Sequence, residues 1–213
     1  MKTDCYKELP SGYREDKVVD AKNVRFGVIM NVVALVVTVA TYLLVDLVFA
    51  GRLTLGDLFR FDFSEGAGSR YVAEVLLPLV VLAVGMIVCI VLHELVHGAA
   101  YKILTKEKLT FGLTWSAAYC GVPNLFVGKK TALIAVLSPF VLFTTLFVVL
   151  VACVGNTPYG IAVKLIFAVH TGGCAGDLYD AALLLFRYRK GCLMCDDGLR
   201  QVFFVQDGQE ARG

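Results

Sequence analysis

Residues 71–102 read YVAEVLLPLVVLAVGMIVCIVLHELVHGAAYK, and this stretch decides what kind of protein the chain is. After Glu74 it carries no charged residue until the cluster His93, Glu94 and His97 near its end. A helix needs about 20 mostly apolar residues to cross a bilayer, and this run is longer than that. An ionisable group deep in a span costs at least about 2.5–3.5 kcal/mol on insertion scales. Three such groups within five residues are therefore an expensive arrangement unless something coordinates or uses them.

Outward from that run the chain keeps the same character. Of its 213 residues 58% are hydrophobic and the mean hydropathy is +0.73, above the roughly half-apolar usage of soluble domains. Apolar runs at about 26–50, 71–102, 131–154 and 158–186 predict four transmembrane helices in one all-α membrane domain, 26–186. A polar segment, 1–25, precedes it and a polar tail, 187–213, follows. Asp46 falls near the far end of the first span, where an acid can reach the interface. The stretch from Gly51 to Arg70 carries Arg52, Asp57, Arg60, Asp62 and Glu65 among Gly and Ser and reads as a solvated loop. Residues 103–130 hold Gly112, Gly121, Pro123 and Gly128, too broken for a span. They predict a hairpin or re-entrant loop between the second and third helices, tolerated at membrane depth only against protein or a wet cavity.

Basic residues set the expected orientation. Six precede the first span, five lie between the second and third and five follow the fourth, whereas the two other connections hold three and none. Lys and Arg favour the cytoplasmic side, so both termini and the 103–130 segment are expected there, with the lipid bilayer as the main partner. The charges form no single stripe, and a formal net charge of +2 gives no case for nucleic-acid binding. Seven cysteines, three of them (Cys89, Cys153, Cys174) inside apolar runs, make no disulfide framework. Cys192 and Cys195 form one C-x-x-C pair, without the second pair that a structural zinc site needs.

His93-Glu94-Leu95-Val96-His97 is H-E-x-x-H. On a helix its histidines stack four residues apart on one face, where two imidazoles can hold one Zn²⁺. Glu94 beside them suits a general base that takes a proton from the attacking water and passes it to the leaving amine. The small residues Gly98, Ala99 and Ala100 permit close approach of a neighbouring helix. A catalytic zinc takes three protein ligands, so a third must come from elsewhere. In the fourth span His170, Cys174, Asp177 and Asp180 are spaced by four, three and three residues, which predicts one polar helix face. Gly172, Gly173, Ala175 and Gly176 around them leave room for close packing. Measured from Lys102 and Arg187, His93 and Asp177 lie about 14 and 15 Å from the same edge, and His170 about 10 Å deeper. Depth therefore favours Asp177. His170 reads as an alternative ligand or a hydrogen-bond partner of one, and Asp180 as a solvated acid or an outer partner. Asn124 is a candidate donor to the developing oxyanion, with a role in a Pro-Asn turn as the alternative.

These residues carry a resemblance. H-E-L-V-H-G in one apolar helix, Ala118 to Pro123 (A-Y-C-G-V-P), Ser138-Pro139 in the next span and the late Gly176-Asp177 pair together resemble the membrane zincin peptidase family and, more distantly, the site-2 proteases. The likeness covers roughly Val72 to Phe186. It implies a zinc-dependent membrane metalloprotease acting on membrane-associated peptides, with Asp177 as third ligand by match. At the position of His170 the family has Asn, and the site-2 pattern embeds its Asp in L-D-G where this chain has Gly-Asp-Leu. The competing readings are a metal-binding transporter or sensor and an inactive protease-like scaffold. A transport site has no need of a base beside the first histidine.

Overall fold

The computed structural model describes residues 4–49, 72–114, 118–188 and 191–208. The loop expected at 51–70 lies outside the described residues. Helix α1 spans Val24–Val48, α2 Leu77–Thr105, α3 Lys129–Val154, α4 Gly160–Gly173 and α5 Ala175–Ala182. A widened helical turn, Val72–Leu76, leads into α2, and another, Leu183–Arg187, ends α5. Among the described residues three helices are long and apolar enough to cross a membrane, and there is a fourth candidate if α4 and α5, with the turn that ends α5, count as one span. Along α2 the side chains of Val80, Val84, Ile87 and Val91 are exposed although apolar. Such a surface is compatible with lipid as its surroundings.

The fourth apolar run is not one continuous helix. Cys174 leaves helical geometry at ψ 3°, its N–H bonded to the His170 carbonyl at 3.0 Å. The cause is local: Gly172, Gly173 and Gly176 are weak helix formers clustered around it. The expected single face from His170 through Asp180 is thereby divided.

The chain is also not purely all-α. Strands β1 (Cys5–Tyr6), β2 (Tyr13–Asp20), β5 (Phe126–Gly128), β6 (Leu193–Asp196) and β7 (Arg200–Gln206) form an antiparallel sheet in the order β1-β5-β6-β7-β2. The expected hairpin between the second and third long helices is present as β3 (Thr110–Leu113) and β4 (Ala118–Gly121). In β2 the run Arg14-Glu15-Asp16 and a bulge between Glu15 and Lys17 break the apolar–polar alternation that marks a strand. Its partner β7 lies far along the chain, so local sequence gave no sign of the pairing. The β6–β7 turn did carry one, because Asp197-Gly198 is a strong hairpin signal. Gly198 takes φ +91° there, and the Asp197 carboxylate accepts the Arg200 N–H at 2.8 Å.

The described residues fall into two compact units. One comprises those within Met1–Asn31, Val91–Pro139 and Ala175–Gly213, the other those within Val32–Ile90 and Phe140–Cys174. The first contains both sheets. Its core packs Val127, Met194, Phe203 and Val205 of the larger sheet with Ala132, Ala135, Leu184 and Tyr188 of the helices. The second is helical. Gly172 abuts Ala34 and Thr38 closely enough to exclude any side chain. Lys164, 1% exposed, pairs with Asp46 at 2.6 Å, so Asp46 meets a cation rather than only the interface. His170 lies against the rings of Phe143 and Phe147, within 3.9 Å of the Cys174 sulfur.

Candidate metal centre

The helix α2 delivers the first two groups. Four residues apart, His93 and His97 turn their rings to one another with centroids 4.8 Å apart, and their Nε2 atoms stand 3.1 Å apart. The third group comes from the helix that restarts after Cys174. Asp177 occupies the first turn of α5, where a carboxylate is favoured by the helix dipole. Its Oδ2 lies 3.2 Å from His93 Nε2 and its Oδ1 3.4 Å from His97 Nε2. The break in the fourth apolar run thus starts a new helix whose first turn faces the histidines.

One ring nitrogen is already committed. His97 Nδ1 is 2.9 Å from the carbonyl oxygen of Ala135, which can only accept, so the proton of that bond sits on Nδ1. In the neutral ring Nε2 is then a lone pair turned toward a carboxylate and a second imidazole. Acceptors converging on acceptors call for a cation. Ligand atoms about 2.0–2.1 Å from a tetrahedral zinc stand roughly 3.3 Å from one another. The 3.1 Å between the two imidazole nitrogens is close to one edge of such a tetrahedron, and the Asp177 carboxylate sets one oxygen against each ring, at 3.2 and 3.4 Å. His93, His97 and Asp177 therefore fit a divalent metal.

Glu94, half-buried, lies near enough to His93, His97 and Asp177 for their charges to act on its carboxyl. On its side of α2 the β3–β4 hairpin closes in: a Cβ on Gly98 would stand 2.6 Å from the Phe111 ring and 3.3 Å from the Cys120 sulfur. The small residues after the motif were expected to admit a helix, and at Gly98 they admit a hairpin. Among the described residues nothing stands within 4 Å of where a side chain on Gly176 would be, so the close approach expected of it is not seen there. Burial, with the Glu94 and Asp196 charges adding to it, pushes the Cys120 thiol up to about 12.

Tyr101 continues the face of His93 and His97, another four residues on, and is 1% exposed. Its hydroxyl donates to Asp196 Oδ2 at 2.8 Å, while Asp196 Oδ1 accepts the Gly198 N–H at 2.8 Å and the Gln201 amide at 3.1 Å. The tail hairpin is in this way bonded to the helix that carries the histidines. Burial lifts the Asp196 carboxyl above its usual range despite those three donors. Neither Tyr101 nor Asp196 stood out in the sequence, although the spacing from His97 to Tyr101 pointed to the former.

Among the remaining candidates, Asp180 is buried rather than solvated, and its Oδ1 has no hydrogen-bond partner among the described residues. Asn124 is exposed at φ 59° in the β4–β5 turn, a conformation Asn tolerates. Backbone N–H groups of Asn124 and Leu125 reach the Cys195 sulfur. Burial raises the Cys195 thiol and pushes Cys192 up to about 12.

A family model described as "Putative zincin peptidase" matches residues 86–193, just over half of the chain. The chain belongs to this zincin peptidase family. No curated protein and no solved structure gives a match. The family span takes in His93, Glu94, His97 and Asp177 together, and the name zincin implies zinc for the site that these residues form.

Proposed function

We propose that this zincin-family chain is a zinc-dependent, membrane-embedded metalloprotease that hydrolyses peptide bonds of membrane-associated substrates near the cytoplasmic face. The observation that carries the reading is the triangle of His93, His97 and Asp177 with Glu94 beside it. In this reading the three residues hold the ion. Zinc bound there supplies Lewis acidity, bringing a water toward a neutral pKa and polarising the scissile carbonyl. Glu94 accepts the proton of the attacking water on a carboxylate oxygen and returns it to the leaving amine, so that peptide and water become carboxylate and amine. The apolar flank of α2 keeps bulk water from the site, and the β3–β4 hairpin borders the approach to Glu94.

The cytoplasmic placement draws support from the sheet. The lead segment (β1, β2), the 103–130 segment (β5) and the tail (β6, β7) are strands of one sheet. These are the three segments richest in flanking Lys and Arg, so a shared side of the membrane agrees with the positive-inside rule. The test is cleavage of a membrane peptide by the protein in liposomes, before and after chelation. Chelation should abolish cleavage and added zinc restore it. Turnover that persists in zinc-free protein overturns the reading.

A further inference from the structure

We infer that Ser138-Pro139 is a positioning device for the proposed zinc ligand His97, acting through the carbonyl that Pro139 releases from the α3 hydrogen-bond ladder. In a helix the carbonyl of residue 135 accepts the N–H of residue 139. Proline has no N–H, and its ring pushes the i−4 carbonyl aside. Pro139 lies inside α3, four residues after Ala135. The Ala135 oxygen is thereby orphaned in a dry environment, since Ala135 is 0% exposed and Pro139 is fully buried. Burial keeps it from bulk solvent, and a buried carbonyl left unpaired is costly.

Two side chains take up the released acceptor. The Ser138 hydroxyl donates to Ala135 O at 2.9 Å, and His97 Nδ1–H donates to the same oxygen at 2.9 Å. A carbonyl has two lone pairs, so it is saturated. The bond to His97 fixes which ring nitrogen carries the proton and fixes the ring plane. Nε2 is consequently held toward Asp177 and His93 as a lone pair, and the ring needs no reorganisation to bind a cation. The broken rung that weakens the helix at Pro139 thus supplies the acceptor that orients the ligand.

The inference rests on His97 being a zinc ligand, and the experiment separates the two. Zinc affinity of the full chain in detergent is measured against a competing chelator for the wild type, His97→Ala, Pro139→Ala and the double variant Ser138→Ala/Pro139→Ala. Thermal midpoints are recorded for the metal-free proteins. Pro139→Ala restores an N–H that competes for the Ala135 oxygen, and zinc affinity should fall about 10–100-fold, as for other outer-shell partners. Its thermal midpoint should be no lower than wild type, because the helix regains its rung. Removing the Ser138 hydroxyl as well frees one lone pair and should recover part of the lost affinity. Nitrogen NMR of the metal-free protein should show His97 locked with its proton on Nδ1 in the wild type and mixed in Pro139→Ala. Wild-type affinity and an unchanged ring in Pro139→Ala overturn the inference while His97→Ala still loses zinc. Equal affinity in wild type and His97→Ala overturns the ligand assignment itself.

Discussion

The two units of this molecule bury polar groups in apolar helices for opposite reasons. In the helical unit Lys164 donates to Asp46 at 2.6 Å, a cation facing an anion, and each satisfies the other. In the sheet-bearing unit His97 Nε2, His93 Nε2 and the Asp177 carboxylate converge within 3.4 Å, an arrangement that an additional cation would reconcile. A polar residue in an apolar helix therefore does not announce its role. The direction of its donors and acceptors does, because complementary groups make a strut and convergent acceptors make a binding site.

The sharpest way to break that comparison is to alter chemistry in one unit and not the other. Glu94→Gln should keep zinc and the fold but lower turnover by about 10²–10⁴-fold, since an amide neither takes nor returns the proton. Retained cleavage in a peptide assay would give Glu94 a different job. Lys164→Ala should do the reverse. It leaves Asp46 without its cation and should cost about 3 kcal/mol in a denaturation experiment. That is the low end for buried pairs because the Asp46 side chain is 39% exposed. Zinc affinity should be unchanged, and Asp46→Leu combined with Lys164→Met should recover most of the stability. Zinc loss on changing Lys164 would merge the two roles and end the contrast.

Asp180 sharpens the boundary within the sheet-bearing unit. One turn from Asp177, it is buried yet not among the converging ligand atoms. Asp180→Ala should lower zinc affinity by at most about 100-fold, by competition titration. A loss as complete as that of His97→Ala would make Asp180 a ligand. The smallest effect is expected at Asp16. Burial raises its carboxyl, but the Tyr188 hydroxyl at 2.7 Å and the Arg187 guanidinium at 3.1 Å outweigh burial and hold it below the ordinary range. A carboxylate with a depressed folded pKa stabilises above its unfolded value and loses that contribution as pH falls through the folded one. Asp16→Asn should accordingly flatten the acid limb of stability below about pH 4 and leave zinc untouched. An unaltered acid limb would contradict the pairing.

How far the sequence carried depends on how local each feature is. His93 and His97 were legible because helical spacing alone puts them on one face, and Asp177 because depth in a span can be counted from its charged ends. The sheet was not, apart from Asp197-Gly198. Strand β2 finds its partner some 190 residues away, with Tyr13 opposite Gln206, and its own residues read as a charged lead. The break at Cys174 is foreshadowed by its glycines, of which Gly172 also serves the close packing that such small residues permit. Ser138-Pro139 was visible as a pair, but its link to His97 joins positions 38 residues apart and follows from where the Ala135 carbonyl points.

Whether His93, His97 and Asp177 hold zinc is decided by the metal content of protein purified without chelators, for wild type and Asp177→Ala side by side. About one zinc per wild-type chain is expected, with a loss in Asp177→Ala as severe as in His97→Ala. A metal-free wild type, or full zinc occupancy in Asp177→Ala, would contradict that assignment.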